Sequence, residues 1–239
     1  MSWRNIPVDQ NNLEKSYTEK YGLNSRYQKE QKGVYADPKI YEDLKTAVSW
    51  LTLNPHMTVL DIGVNNGYEL ELFQNSSQEK WPENIKILGF DIIGEVLQKA
   101  KERFDGKENY IFIKGNVVDF KGTNIANNSE IEILDQSVDV VIALTSLQST
   151  SIVTDFEVFI NKLIGKLKKS AQILVGTPNF HLDTDDNIVY GLVDANVQGI
   201  APQIALNFSK KLIKILEENG FKHKQTGEII IFDYFSREN

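Results

Sequence analysis

Val59-Leu60-Asp61-Ile62-Gly63-Val64-Asn65-Asn66-Gly67-Tyr68-Glu69-Leu70 runs from a short apolar strand through an acid and a Gly/Asn-rich turn into a segment with helical spacing. Glycine has no Cβ and Asn tolerates positive φ, so such a turn brings backbone N–H groups at a helix start close to a ligand. A second apolar run, Ile85-Lys86-Ile87-Leu88-Gly89-Phe90, also ends in an acid, Asp91. Two acids at neighbouring strand ends, with a glycine turn between them, outline a nucleoside-binding crevice.

A dinucleotide and S-adenosylmethionine are the two ligands to weigh. The dinucleotide fingerprint needs G-x-G-x-x-G, with its second glycine close to the pyrophosphate. Here Asn65 and Asn66 fill the space between Gly63 and Gly67, and no third glycine follows at the required offset. Asp61, just before the turn, would repel a pyrophosphate. S-adenosylmethionine has no phosphate and carries a sulfonium and an ammonium, which suit an acid there. The spacing favours the methyl donor.

On these residues the chain resembles the class I S-adenosylmethionine-dependent methyltransferases, whose first motif reads D/E-x-G-x-G-x-G. Asp61-Ile62-Gly63-Val64-Asn65-Asn66-Gly67 matches it with Asn65 in place of the middle glycine, and Asn is at home in the left-handed conformation. The resemblance implies an α/β fold: a doubly wound, mostly parallel seven-stranded sheet with a C-terminal antiparallel hairpin and a helical N-terminal cap. It implies S-adenosyl-L-methionine as cofactor and S-adenosyl-L-homocysteine as product, held by Asp61, Gly63, Asn65, Gly67, Asp91, Ile92, Asn116, Val117 and Leu144. In that pattern Asp91 grips both ribose hydroxyls and Ile92 lies against the adenine. Asn116, where the family usually has Asp, accepts from the adenine amino group, and the Val117 N–H donates to a ring nitrogen. Leu144 ends a strand that runs along the methionine portion and faces the acceptor.

Composition agrees with one soluble domain. The 239 residues can bury a sizeable core, and 41% hydrophobic with 25% charged residues is ordinary for a globular enzyme. No apolar run approaches the ~20 residues of a membrane span, and Met1-Ser2-Trp3-Arg4-Asn5 lacks the layout of a secretory signal. The absence of Cys excludes disulfides, thiolate metal sites and a cysteine nucleophile. A cytoplasmic location is the expectation. A net charge of −7 argues against a nucleic-acid footprint, and no metal-ligating constellation is apparent.

The single domain divides into three zones. Residues 1–54 read as the helical cap: Asp37-Pro38 starts a helix that puts Ile40, Leu44, Ala47, Val48 and Leu51 on one face. Tyr17, Tyr21, Tyr27 and Tyr35 are spread through the polar segment before it, which reads either as a cover over the donor or as surface helices with half-buried tyrosines. Residues 55–176 alternate strands (near 57–61, 85–90, 110–114, 138–144 and 172–176) with amphipathic stretches, which predicts a parallel sheet with right-handed crossovers. Lys162, Lys166, Lys168 and Lys169 read as a solvated helix end, and Lys121 to Gln136 as an irregular surface insertion. Residues 177–239 hold a lid from Asp183 to Phe208, a last helix capped by Ser209 and ended by Gly220, and a hairpin turning at Thr226-Gly227.

Thr177-Pro178-Asn179-Phe180 is set apart from the N/D-P-P-Y/F motif of amino-methylating nucleic-acid enzymes, because it follows the fifth strand and lacks the second proline. His181, on that loop at the ligand edge, is the first choice for a general base, and Tyr190 the second. The expected activity is methyl transfer to an oxygen or nitrogen of a small-molecule acceptor, a sugar or secondary metabolite. The alternatives are a protein or RNA methyltransferase, or a non-catalytic methyltransferase-like binding partner in which Asn65 and Asn116 mark lost function.

Overall fold

The computed structural model describes residues 37–77, 81–144, 146–147, 155–178, 180–182, 188–190, 202–227 and 230–237, with Lys15, Thr18 and Leu23 besides; at 178, 180–182, 188–190 and 202–207 it describes the backbone alone. Tyr17, Tyr21, Tyr27, Tyr35, Asn179 and most of the expected lid lie outside the described residues.

Asp37 starts helix α1 (Pro38–Val48): its Oδ1 accepts from the Lys39 N–H at 2.8 Å, and proline follows where no N–H is needed. The predicted face is buried at Ile40, Leu44, Ala47 and Val48. The core then runs β1 (Thr58–Ile62), α2 (Tyr68–Ser76), β2 (Lys86–Asp91), α3 (Gly94–Arg103), β3 (Tyr110–Lys114), β4 (Lys121–Asn124), β5 (Glu130–Glu132), β6 (Val138–Leu144), α4 (Phe156–Lys166) and β7 (Leu167–Pro178). A ribbon of β8 (Phe180–Leu182) and β9 (Ile188–Tyr190), helix α5 (Pro202–Glu218), and strands β10 (Lys222–Thr226) and β11 (Ile230–Ser236) complete the chain.

The main sheet has nine strands in the order β10-β11-β7-β6-β1-β2-β3-β4-β5. Strands β7, β6, β1, β2 and β3 are parallel, and β11 joins β7 antiparallel with β10 outside it. Seven strands were expected; the two extra ones, β4 and β5, arise from the supposed irregular insertion. Two glycines explain the error. A Cβ on Gly115 would stand 2.5 Å from the Lys121 carbonyl, and one on Gly122 would stand 2.5 Å from the Lys114 carbonyl. Without side chains there, the chain folds back closely enough to pair β4 antiparallel to β3. Strands this short and polar show no alternation that a sequence pattern could reveal.

Strand periodicity splits the core into two layers. Leu60, Leu88, Ile113, Val141 and Ile173 face α4 and α5, which contribute Phe156, Phe159, Ile160, Phe208, Leu212 and Leu216. Val59, Ile87, Phe112, Val140 and Leu174 face the opposite way, toward α1, α2 and α3. Helices on both faces confirm the doubly wound arrangement.

Three local expectations change. Lys168 and Lys169 belong to β7, because α4 ends at Lys166. Strand β7 is longer than predicted and shifts register against β6 between Val138 and Val140. There Asp139 Oδ2 accepts from the Thr58 N–H and from Lys168 Nζ, each at 2.8 Å, so this acid joins three strands. Ser209 lies inside α5, which already begins at Pro202, a residue suited to a first turn. Gly220 ends that helix as expected, at φ +82°, with the Phe221 N–H donating to the Leu216 carbonyl at 3.0 Å.

Gln172 fastens the chain before β1 to this sheet. Its Oε1 accepts from the Thr52 N–H at 2.8 Å and from Tyr234 Oη at 3.0 Å, and its Nε2 donates to the Thr52 carbonyl at 2.8 Å. Leu at this position leaves the Tyr234 hydroxyl and two backbone groups to find other partners. A loss of about 1–3 kcal/mol is expected in urea unfolding, and unchanged stability would remove Gln172 from this role.

Candidate functional site

The strand order reverses direction of growth at β1, which has β2 on one side and β6 on the other. In open α/β sheets the ligand crevice lies beyond the carboxyl ends of the strands at such a point. Here the Gly63 and Val64 N–H groups donate to the Phe90 carbonyl at 2.8 and 3.0 Å, which ties the exit of β1 to the tip of β2. On the other side Ser146, just past β6, donates its hydroxyl to the Ile62 carbonyl.

The turn takes left-handed conformations at Gly63 (φ +76°), Asn65 (φ +49°) and Gly67 (φ +75°). Asn65 thus occupies the middle position as its side chain permits. The two glycines allow close packing within the protein. A Cβ on Gly63 would stand 2.4 Å from Ser146 Cβ, and one on Gly67 2.8 Å from Phe104 Cε2. They let the turn sit against β6 and α3.

The turn also consumes its own backbone donors. The Asn65 N–H donates to Asp91 Oδ2 at 3.0 Å and the Asn66 N–H to Asn65 Oδ1 at 2.7 Å. The Gly67 N–H reaches the Val64 carbonyl at 2.9 Å, and the Tyr68 N–H reaches Asn66 Oδ1 at 3.0 Å. A pyrophosphate needs such groups free at the helix start; here they are engaged.

Carboxylates occupy the place where phosphate donors would stand. Asp91 accepts from the Asn65 N–H on Oδ2 and from the Ile93 N–H on Oδ1 at 2.9 Å, and remains half-buried. Burial pushes its carboxyl up to about 6, with the Ile93, Asn65 and Ile92 N–H groups pulling the other way. Asp61, only 5% exposed, lies on the same side of the sheet as Val59 and faces α2. Its carboxyl accepts no hydrogen bond from another described residue. Burial holds its carboxyl well above the ordinary carboxylate range, and the Glu69 and Asp91 charges add to the rise.

Glu69 borders the candidate site and was not singled out from the sequence. It stands in the first turn of α2, is 8% exposed, and bears on Asp61. Its one signal was an acid beside Leu70 at the start of an otherwise apolar helix face. Arg103 was missed as well. Its Nε donates to the Asn66 carbonyl at 3.1 Å, its Nη1 pairs with Glu71, and its guanidinium lies 5.6 Å from the Tyr68 ring centroid. It braces the turn from α3, which no spacing rule reveals.

The remaining expected residues are distributed as follows. Ile92 follows Asp91 and is half-buried. Asn116, near the tip of β3, caps a 3-10 turn (Val117–Asp119) by accepting from the Val118 N–H at 3.1 Å. The Val117 N–H is the first of that turn and has no acceptor inside it. Leu144 is buried at the end of β6 and packs over Gly176, where a Cβ would meet its Cδ2 at 2.7 Å. His181 and Tyr190 fall on the β8–β9 ribbon, where His181 pairs with Val189 and Tyr190 with Phe180; their side chains lie outside what is described. His56 is exposed, and His223 Nε2 contacts Asp233 Oδ1 at 2.8 Å on the terminal hairpin, away from the strand tips. Among the described residues no group of three potential metal ligands forms, and no helix is long and apolar enough to cross a membrane.

Acids at the tips of β1 and β2, beside a turn whose N–H groups are engaged, suit a nucleoside bearing positive charge better than a pyrophosphate. Comparison with known proteins leads to the same chemistry. The family model described as a methyltransferase domain matches residues 53–223. Comparison with curated proteins finds no match in sequence. Among solved structures, the chain is similar to an S-adenosylmethionine-dependent methyltransferase from Aquifex aeolicus, at 18% identity and a TM-score of 0.50, with 96% of this chain and 98% of that one covered. It is similar also to one from Mesorhizobium loti, at 11% identity and a TM-score of 0.50, covering 80% and 96%. With the CurJ carbon methyltransferase it shares 11% identity and a TM-score of 0.61, over 97% of this chain and 62% of that one. At these identities the likeness is one of fold.

Proposed function

Because this chain belongs to the methyltransferase-domain family, we propose that it moves the methyl group of S-adenosyl-L-methionine to an oxygen or nitrogen of a small-molecule acceptor, a sugar or secondary metabolite. S-adenosyl-L-homocysteine is the product. The observation that carries the donor is the pairing of Asp91, held by two backbone N–H groups at the tip of β2, with the buried Asp61 at the neighbouring tip of β1. The bound donor supplies an electrophilic methyl carbon on a sulfonium, a ready leaving group.

The protein's own part is to bind, orient and exclude water. Each Asp91 oxygen keeps acceptor capacity after taking one backbone N–H, which suits two ribose hydroxyls. Asp61 offers charge to the cationic end. Asn116 and the Val117 N–H present an acceptor and a donor at the next strand tip, as an adenine edge requires. Holding the acceptor in line with the methyl group corresponds to effective molarities of ~10⁵–10⁸ M, so a base is an aid rather than a necessity. His181, or in its place Tyr190, is the group assigned to take the acceptor's proton.

A small acceptor is favoured by the acidic net charge of −7, which disfavours nucleic acid, and by the length of chain before β1 and after β7 available to enclose it. Calorimetry with donor and product, followed by turnover against pools of small metabolites, of RNA and of protein, tests both halves. Methylation confined to RNA or protein would overturn the acceptor assignment.

The raised Asp91 carboxyl predicts a pH dependence. Donor binding requires the carboxylate, so affinity is flat above about 6 and falls below it, by up to about tenfold per unit. Stability has the complementary sign. A carboxyl raised in the fold stabilises the unliganded protein fully below its ordinary value of 3.8, and that contribution is lost as pH rises through about 6. The rise in Tm produced by saturating donor should therefore be larger at pH 7.5 than at pH 5. Asp91→Asn should flatten the difference; an equal rise at both pH values would contradict the assignment.

A further inference from the structure

We propose that Thr177 and Asp233 anchor a second polar group of the acceptor, one that donates hydrogen bonds, an ammonium or a hydroxyl. The proposal rests on reading the chain as a methyltransferase with a small-molecule acceptor. Among the described residues, the buried side-chain atoms without a hydrogen-bond partner are Thr177 Oγ1, Asp233 Oδ2 and Arg237 Nε. The first two lie on adjacent strands. In the pairing of β7 with β11, Thr177 stands opposite Ile231 and Asp233 opposite Val175, so they are diagonal neighbours. Both follow the alternation of Ile173, Val175 and Phe235, which puts them on the sheet face that packs against α4 and α5. Thr177 is 2% exposed and Asp233 fully buried.

Asp233 is only half provided for. Its Oδ1 meets His223 Nε2 at 2.8 Å and accepts from Gln225 Nε2 at 2.9 Å, both from β10, and the Ser209 side chain on α5 acts on the same carboxyl. Burial pushes this carboxyl up while His223 and Gln225 pull it back, and an ammonium on the bare oxygen would pull the same way. A buried acceptor without a donor costs its full desolvation. Two such atoms on neighbouring strands call for a partner that the described residues do not supply. A carboxylate oxygen only accepts, so that partner must donate, and a threonine hydroxyl can share it.

The place in the sheet says which part of the acceptor is held. Gly176 pairs with Leu144 at the end of β6, so Thr177 stands one residue beyond that level. In the reading above, the acceptor faces the tip of β6. Strands are spaced ~4.8 Å apart, which sets β7 and β11 about 5 and 10 Å to the side of β6. The anchored group is therefore not the methylated atom but a second function on the same molecule. The acceptor is an amino alcohol, amino sugar or polyol in class rather than a compound with one polar group.

Ligand-observed NMR titrations of the full chain at pH 7.5 test this with 2-aminoethanol, ethylene glycol, ethylamine and acetate. 2-Aminoethanol should bind, and acetate, an anion that only accepts, should not. Ethylamine ahead of glycol marks an ammonium-bearing acceptor; the reverse order marks a polyol. Thr177→Val and Asp233→Asn should each weaken 2-aminoethanol about tenfold or more. Thr177→Ser keeps the hydroxyl and should stay within about threefold of wild type. Near-ultraviolet circular dichroism checks each fold, and the nearly isosteric Thr177→Val decides the matter if Asp233→Asn does not fold. Unchanged binding in a folded Thr177→Val protein overturns the proposal. So does acetate binding as tightly as 2-aminoethanol, or no saturable binding of any donating probe. A crystal structure grown in 2-aminoethanol with only a water between the two oxygens overturns it as well. Calorimetry with S-adenosylmethionine is read separately: no donor binding overturns the methyltransferase reading, whereas donor binding without probe binding overturns the anchor alone.

Discussion

Asp91→Ala is expected to raise the donor Kd at least about 100-fold while leaving the fold in place. Two hydrogen bonds to a charged carboxylate contribute about 1.5–3 kcal/mol each, and about 2.7 kcal/mol already corresponds to a hundredfold change. The variant loses more than those bonds. Asp91 is also the acceptor for the Asn65 and Ile93 N–H groups, so its removal loosens the turn at Asn65 and the entry to α3, while the Gly63 and Val64 bonds to the Phe90 carbonyl remain. Asp91→Asn keeps the volume and one acceptor oxygen, but its amide nitrogen must then face a backbone N–H. It should fail in the same direction. Neither change should lower Tm greatly, because burial already opposes the ionised carboxyl. Affinity lost with the near-ultraviolet circular dichroism unchanged is the expected signature; affinity within threefold of wild type would remove Asp91 from the donor site.

Gly63→Ala is the counterpart at the level of the fold. The residue sits at φ +76° and its new Cβ would stand 2.4 Å from Ser146 Cβ and 3.0 Å from Ser146 Oγ. The left-handed conformation costs an alanine about 1–2 kcal/mol, and overpacking against a neighbour in contact costs about 1–3 kcal/mol more. A total near 3–4 kcal/mol is a large part of the stability of one domain. The two contributions are separable. Adding Ser146→Gly removes the atom that clashes but leaves the backbone conformation, so the double variant should recover the steric part alone. A single variant as stable as the wild type in urea unfolding would show that β6 does not pack against the turn in this way.

These two residues also show how much could be read without a structure. Asp61, Asp91 and the Gly63–Gly67 turn were legible because their chemistry depends on local order: an acid at the end of an apolar strand, then residues that tolerate positive φ. The layers of the sheet were legible for the same reason, since Val59 and Leu60, or Phe112 and Ile113, alternate along a single strand. The purpose of the glycines was not. Their missing Cβ atoms accommodate Ser146 and Phe104, which are far away in sequence. Glu69 and Arg103 escaped because an acid or a guanidinium in an amphipathic helix carries no mark of the crevice it borders.

From sequence alone came the parallel core, the terminal hairpin, the helix from Asp37, and the positive-φ turn between two strand-end acids, all properties of contiguous residues obeying a period or a dihedral preference. Only tertiary structure decided that the described residues form a nine-stranded sheet, that Asp139 and Gln172 are ties between segments, and that the turn's N–H groups are engaged by Asp91, by its own Asn side chains and by backbone carbonyls. Contacts between distant segments depend on how closely backbones approach in three dimensions, and a glycine at position 115 or 122 does not announce which strand will lie against it.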